Sequence, residues 1–361
     1  MAVTQLEQFL YQALYDAAFA LLAAQPWKTL GEDDVFAVQN PDDGELQFAK
    51  ITGREGDQCE LTIFSGARGL DMLWSLSNTP DKAFVCDLCC DVPGLCFAAV
   101  PKGMLDSLDR DIVAAITLPE AFDGHYPVFR SLRPGYYPSR LNISDICLLA
   151  HVLRQATVLV REIQSGAASL AVVPGHEDDY VARLATKDEQ GAIAWRTDRV
   201  TMILDELLPR STPTADSDAL AAVAAKRTGK QELRLELLLA PPDPAQADEN
   251  GAVPATYVFL VSDHQSRSPL CAQIAMPGAS LLEFRQGLPA VLLELLGRLP
   301  ARPRRVHVEL LSLQDSMSEM LAAMGIALDQ HAMPPECAKE QAALLKQVAE
   351  MDMPLPATLW F

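Results

Sequence analysis

The stretch that decides the fold of the N-terminal part is residues 35–76, VFAVQNPDDGELQFAKITGREGDQCELTIFSGARGLDMLWSL. Three short runs within it are rich in apolar and β-branched residues, near Val35–Gln39, Leu46–Thr52 and Cys59–Ser65. Each run ends at a cluster of turn-forming residues, and the last cluster, Gly66–Gly69, leads into a helix. The stretch therefore predicts an antiparallel meander of three strands followed by a helix.

The segments around this meander carry helix signals and a less regular region. Thr4-Gln-Leu-Glu7 is a capping box, and apolar residues follow it at spacings of three and four. A second amphipathic helix is predicted from Ser144 to Gln164. Between the two helices, residues 83–100 predict two strands, and residues 124–145 predict an irregular loop rich in aromatic residues and proline.

The C-terminal part alternates strands with helices in the order ββαβαβα, which predicts a mixed, partly parallel sheet. Its last helix is predicted near Glu336–Glu350, and the segment ELRLELLL at Glu232–Leu239 is compatible with a strand or a short helix. Together the patterns predict an α/β (α+β) protein. Its predicted parts are an N-terminal α+β domain over residues 1–168, a connecting hairpin, helix and linker over 169–230, and a C-terminal α/β domain over 231–361.

Two groups of turn and packing motifs resemble known families. The Asp-Asp-Gly-Glu turn, the Ser-Gly-Ala-Arg-Gly-Leu helix entry and the segment Pro127–Pro138 resemble an uncharacterised bacterial domain family, over about residues 5–165. The Arg-Pro-Arg-Arg-Val and Met-Gly-Ile motifs resemble a second uncharacterised bacterial domain that is found with the first, over about residues 230–360. These resemblances imply family membership and carry no activity with them.

Composition limits the class of protein. The chain has 361 residues, is 49% hydrophobic and carries a formal net charge of −19. Nucleic-acid binding relies on Lys and Arg, so this charge argues against a nucleic-acid partner, and the basic cluster Arg302–Arg305 is interpreted as a solvated turn. The apolar runs are too short for a membrane span, and the N-terminal residues do not form a signal sequence. We therefore expect a cytoplasmic protein with reduced cysteines and no membrane partner.

The segment 127–138 is the candidate recognition surface. Arg130, Arg133, Tyr136 and Tyr137 are residue types that often anchor interfaces, and the prolines beside them order the chain. The alternative is that the tyrosines pack inside the protein and Arg130 pairs with an acid. Because no complete catalytic constellation is legible, the leading hypothesis is a non-enzymatic binding or protein-interaction module, whose oligomeric state stays open.

Carboxylates of the C-terminal part support a second hypothesis. Asp263 closes the first predicted strand of the ββαβα run, Glu309 lies at the end of a later one, and Glu340 lies on a predicted helix together with Glu336. Acids placed in this way hold two metal ions in ribonuclease-H-like nucleases. That fold normally begins with a longer antiparallel segment than the one predicted here. The alternative function is therefore a metal-dependent nuclease-like enzyme with Asp263, Glu309 and Glu340 as catalytic residues.

Other metal patterns are incomplete in the sequence. Cys86, Cys89, Cys90 and Cys96 supply one Cys-x-x-Cys pair without the second pair that structural zinc requires. The six histidines are scattered, and none has the i, i+4 partner of a metalloprotease helix. Apart from the two-metal alternative, the sequence predicts no metal site and no cofactor.

Overall fold

The computed structural model describes most of the chain in two compact units. The described residues are 4–53, 59–77, 89–119, 124–187, 190, 192–208, 216–249, 251–275, 278, 280–308, 311–330 and 358–360. The first unit spans Met1–Asn78, Val92–Arg133 and Pro138–Arg210, and the second spans Thr79–Asp91, Pro134–Tyr137 and Ser211–Phe361. Both combine helices with sheets, which confirms the α+β class.

Helices and a seven-stranded sheet form the first unit. Its helices are α1 Gln5–Ala23, α2 Gly66–Ser77, α3 Ser107–Ala115, α4 Ile143–Gln164 and the short α5 Leu204–Leu207. Its strands are β1 Val35–Gln39, β2 Leu46–Thr52, β3 Glu60–Ser65, β4 Gly94–Pro101, β5 His125–Leu132, β6 Asp179–Lys187 and β7 Ile193–Thr201. The strand order is β5-β4-β3-β2-β1-β6-β7, antiparallel throughout except for the parallel pair β1–β6.

The meander predicted from residues 35–76 is confirmed as β1, β2, β3 and α2. The first hairpin closes where the Asn40 N–H donates to the Glu45 carbonyl at 2.8 Å, and Gly44 has a φ of +81° that suits glycine. At α1 the predicted capping box forms, because the Glu7 N–H donates to Thr4 Oγ1 and the Thr4 N–H donates to the Glu7 carboxylate. Both signals involve residues only a few positions apart, so the sequence alone can show them.

Helices α1 and α4 supply much of the core of the first unit. Leu14 and Leu153 are fully buried in the same cluster as Phe36 of β1, and Tyr15 meets Phe129 edge to face at 5.1 Å. Helix α4 is long and apolar enough to cross a membrane by composition, but half of its apolar window is buried in the structure. That burial is typical of the core helix of a water-soluble protein.

Three predictions for the N-terminal part of the chain differ from the structure. The irregular loop predicted at 124–145 contains strand β5, which pairs with β4 and accommodates Pro127 because it is an edge strand. Residues 89–91 form a 3-10 turn instead of a strand, and the residues before them lie outside the described part. The hairpin β6–β7, assigned from the sequence to a connecting segment, joins the first sheet because β6 pairs with β1 and buries Val181 and Ala182.

A six-stranded mixed sheet forms the centre of the second unit. The elements are α6 Ser217–Ala224, β8 Glu232–Leu239, β9 Tyr257–Asp263, β10 Pro269–Ile274, α7 Leu281–Arg298, β11 Arg305–Val308, α8 Leu311–Ala323, β12 Ala327–Gln330 and β13 Thr358–Trp360. The order is β12-β11-β8-β9-β10-β13; β8, β9 and β10 are antiparallel neighbours, and β11 is parallel to both β8 and β12.

The predicted alternation is present from β9 to β12, and the ambiguous segment ELRLELLL is strand β8. The last predicted helix lies outside the described residues. Helix α6 was missed because its start falls in a segment that reads as a linker. Asp216 caps it by accepting hydrogen bonds from the backbone N–H groups of Asp218 and Ala219.

Candidate metal centre

Three possible metal ligands meet at one end of the second sheet. Glu232 is the first residue of β8, His264 directly follows β9, and His307 lies within β11. Their nearest ligand atoms all lie within 4.8 Å of one another. The imidazole rings of His264 and His307 stack with centroids 3.8 Å apart and an interplanar angle of 20°.

Strand register explains why these residues meet. Strands β8 and β11 are parallel, with Glu232 opposite Arg305 and His307 opposite Arg234, so the side chains of Glu232 and His307 point to the same face of the sheet. On the far side of β8, the His264 N–H donates to the Glu232 carbonyl at 2.9 Å, directly beyond the last β8–β9 pair. Two strands and the turn after a third strand therefore supply one ligand each.

The Glu232 carboxylate is held on both of its oxygens. Oε2 lies 2.9 Å from His307 Nε2, and Oε1 accepts a hydrogen bond of 2.6 Å from Arg304 Nε. The Glu232 and His307 side chains are only 10% and 6% exposed. The hydrogen bond with His307, helped by Arg304, holds the pKa of Glu232 below its usual value against the desolvation that would raise it. These contacts favour the ionised carboxylate, which is the form that binds a metal.

Two imidazoles and one carboxylate are a ligand set that transition metals use. Catalytic zinc commonly has three such protein ligands and a water, with ligand atoms about 2.0–2.2 Å from the metal, which places them about 3.4 Å from one another. The same set with open positions also suits iron(II). The possible ligand atoms already lie within 4.8 Å of one another. Because the imidazoles of His264 and His307 stack in nearly parallel planes, the rings must turn out of the stack before both can point a nitrogen at one ion.

Asp263, the acid that the sequence singled out, stabilises the turn that carries His264. Its Oδ1 accepts hydrogen bonds from the N–H groups of Gln265 and Ser266 and from the Ser266 hydroxyl, and Oδ2 accepts one from Gln231. These bonds, led by the Ser266 N–H, hold the pKa of Asp263 below its usual value against desolvation. The other two predicted catalytic residues, Glu309 and Glu340, lie outside the described residues, as does Glu336.

The four predicted recognition residues divide between the two units. In the first unit, Arg133 is exposed, whereas Arg130 lies on β5 and forms ion pairs with two acids of the α3 cap, Asp109 at 2.8 Å and Asp106 at 2.9 Å. In the second unit, the Tyr137 hydroxyl donates to the Ala240 carbonyl, and a Cβ on Gly278 would meet the Tyr136 hydroxyl at 2.8 Å. Arg130 and Tyr137 thus have structural contacts of their own.

The cysteine cluster gives no support to a zinc site in the described part of the chain. Cys90 is 2% exposed, Cys96 lies on β4, and no cysteine belongs to a described group of three possible ligands. Cys86 lies outside the described residues. His264 and His307, in contrast, lie far apart in the sequence, and only the pairing of strands in the sheet brings them together. One local signal existed: His307 interrupts an apolar strand, between Val306 and Val308.

The comparison with known families concerns the first unit and part of the second. Residues 11–183 match the model of a family described as Domain of unknown function (DUF7309). The match confirms the resemblance of the N-terminal part to an uncharacterised family, and the resemblance over residues 230–360 stays a prediction. No curated protein matches the chain. Glu232, His264 and His307 lie outside the DUF7309 segment, so that family says nothing of the metal centre.

Proposed function

We propose that this protein binds a divalent transition-metal ion through Glu232, His264 and His307. The convergence of one carboxylate and two imidazoles within 4.8 Å carries the proposal. The Arg304 contact supports it further, because the carboxylates that bind metals are usually oriented by a second hydrogen bond.

A three-ligand site leaves coordination positions for water. A zinc ion held by Glu232, His264 and His307 would lower the pKa of a bound water and so supply a nucleophile for hydrolysis. This differs from the metal-free binding module that the sequence favoured, although metal binding is itself a binding function. The proposed metal site also replaces Asp263, Glu309 and Glu340, the catalytic residues of the enzymatic alternative, with Glu232, His264 and His307.

Metal titration tests the proposal directly. Protein stripped with a chelator should bind one Zn²⁺ or Co²⁺ ion per chain in calorimetry, and bound Co²⁺ should give the visible absorption of a nitrogen- and oxygen-ligated ion. Glu232→Gln and His264→Ala should each lower the affinity at least about 100-fold, because losing a ligand should cost at least as much as losing a residue that orients one.

His176→Ala is the matched control. His176 also pairs with a carboxylate, Asp179 at 3.1 Å, but it belongs to the first unit and its side chain is 62% exposed. This variant should bind metal as the native protein does. A native protein that binds no ion, or triad variants that are folded by circular dichroism and keep full affinity, would refute the proposal.

The nuclease hypothesis gains one observation. Strand β8 extends the antiparallel start of the C-terminal sheet to three strands, which is the feature that the ribonuclease-H-like comparison lacked. Fold analogy alone does not establish an activity. Mn²⁺-dependent cleavage of a labelled oligonucleotide would support this function, and comparing Asp263→Ala with Glu232→Gln would show which set of residues holds the metal.

The protein-interaction hypothesis now depends on Arg133 and Tyr136. Arg133 is exposed and Tyr136 is partly exposed. A partner that co-purifies with the native chain and is lost on Arg133→Ala together with Tyr136→Ala would support this function.

A further inference from the structure

We propose that the metal-loaded centre binds a phosphate monoester, with Arg304 as the second cation that holds it. This inference depends on the proposed metal site. Arg304 contacts the outer oxygen of Glu232 through Nε and a terminal nitrogen, yet its side chain is 55% exposed. A guanidinium that adjoins a metal ligand and also reaches solvent is placed to contact an anion bound to the metal.

The local charge favours a dianion. Glu232 neutralises one charge of a divalent ion, His264 and His307 add none as neutral ligands, and Arg304 adds one positive charge, which leaves about two positive charges at the loaded centre. A phosphate monoester carries about −1.5 to −2 at pH 7, whereas a carboxylate carries one negative charge. A phosphate monoester is therefore the common anion that best balances the site.

The formal charges of four neighbouring residues cancel, because Arg302 and Arg305 are positive and Asp263 and Asp329 are negative. Arg305 pairs with Asp329 on the adjacent strand. Asp263 accepts hydrogen bonds within its own turn and from Gln231. Arg302 donates to the carbonyls of Ala224 and Met324. The excess positive charge is thus local, on a chain whose formal net charge is −19.

Geometry favours phosphate for a second reason. The planar guanidinium matches two oxygens of a phosphate at once, and the metal binds a third. Arg304 and Glu232 are already in contact, so a metal ion bound to Glu232 lies within one phosphate group of Arg304. The three unesterified oxygens of a phosphate monoester meet both requirements.

The test uses the full-length chain, saturating Co²⁺ and inorganic phosphate as the probe. Calorimetry and the Co²⁺ absorption spectrum should both report phosphate binding to the loaded protein. Arg304→Gln is expected to bind Co²⁺ about 10–100-fold more weakly, so Co²⁺ is raised until it saturates the variant. At that concentration Arg304→Gln should lower phosphate affinity at least about tenfold, and Arg304→Lys should restore part of it. Arg305→Gln is the matched control, because Arg305 pairs with Asp329, and it should bind phosphate normally.

The two proposals fail in different ways. If Co²⁺ binds but phosphate binds equally to the native protein and Arg304→Gln, the phosphate site is wrong and the metal site stands. Equal phosphate affinity with and without Co²⁺ would also overturn the metal-bridged site. If the native protein binds no Co²⁺, the proposed function itself fails.

Discussion

Arg130 and Asp109 form the ion pair on which the α3 end of the first unit depends. The Asp109 side chain is 5% exposed and that of Arg130 is 26% exposed. Burial alone would raise the pKa of Asp109, but the hydrogen bonds and the charge of Arg130 outweigh burial and hold that pKa below the usual 3.8. Removing one partner leaves the other charge largely buried and uncompensated.

We predict that Arg130→Gln lowers the free energy of unfolding by about 3 kcal/mol, the size expected when one partner of a largely buried pair is removed. Urea denaturation at neutral pH measures the change. Lys187→Gln is the control: its pair with Asp42, at 3.4 Å, is exposed and should contribute less than about 1 kcal/mol. Equal effects of the two substitutions would contradict the structural role of Arg130.

The same pair gives a pH dependence. Because the pKa of Asp109 is lower in the folded protein than in the unfolded chain, its stabilisation is complete above the unfolded value of 3.8. It disappears as the pH falls through the folded pKa. The stability difference between the native protein and Asp109→Asn should therefore narrow below about pH 4. A difference that stays constant to lower pH would show that Asp109 acts through packing and not through its charge.

At the scale of elements, local signals were predictable and sheet neighbours were not. The capping box of α1 and the turn at Gly44 act within a few residues, so the sequence predicts them. Pro127 is unfavourable in most strands, so the sequence does not predict β5. Strand β8 contains residues suited to either a helix or a strand. Only pairing with β9 and β11 makes β8 a strand. Glu232 meets His307 through that pairing, so this group of possible metal ligands could not be predicted either.

Helix α7 has a cap that comes from a distant part of the chain. Asp91 is 1% exposed; its Oδ1 accepts the Leu281 N–H at 2.8 Å, and its Oδ2 accepts the Ser280 hydroxyl at 3.3 Å. We predict that Asp91→Ala lowers the free energy of unfolding of the second unit by about 2 kcal/mol, because a buried helix N-terminus loses its acceptor. Chemical denaturation measures this, and hydrogen exchange at the first turn of α7 should accelerate.

Asp243→Ala is the control for the cap. Asp243 accepts the Ala245 N–H at the start of an exposed 3-10 turn, so its loss should cost about 0.5 kcal/mol or less. If Asp91→Ala has no larger effect than this control, Ser280 alone is a sufficient cap for α7.

At the scale of the whole molecule, the two units are not consecutive along the chain. Cys89–Asp91 and Pro134–Tyr137 belong to the second unit, although the DUF7309 match encloses both segments. Within that unit, Gly135 donates to the Cys90 carbonyl and accepts from the Ala255 N–H, and the Tyr137 N–H donates to the Val253 carbonyl at 2.9 Å. The family boundary at residue 183 is therefore not a boundary between folding units.

We predict that a fragment of residues 211–361 does not fold as the second unit does in the full chain. It lacks Asp91 and the backbone partners at Gly135 and Tyr137. Its thermal transition, followed by circular dichroism, should be broad or shifted to lower temperature, and co-expression with residues 1–210 should restore it. A fragment that melts cooperatively at the temperature of the full chain would show that these segments are dispensable.

Two segments of the second unit lie within the sequence of the first unit, so the ribosome synthesises them long before the rest of the second unit. Leu281, whose N–H is capped by Asp91, is synthesised 190 positions later. At about 5–20 residues per second, this interval lasts about 10–40 s. Most strands of the first sheet can pair during that time, but Cys89–Asp91 and Pro134–Tyr137 have no second unit to join. For much of its synthesis, the nascent chain thus exposes two segments whose partners do not yet exist. A chaperone that shields these segments would act in this interval.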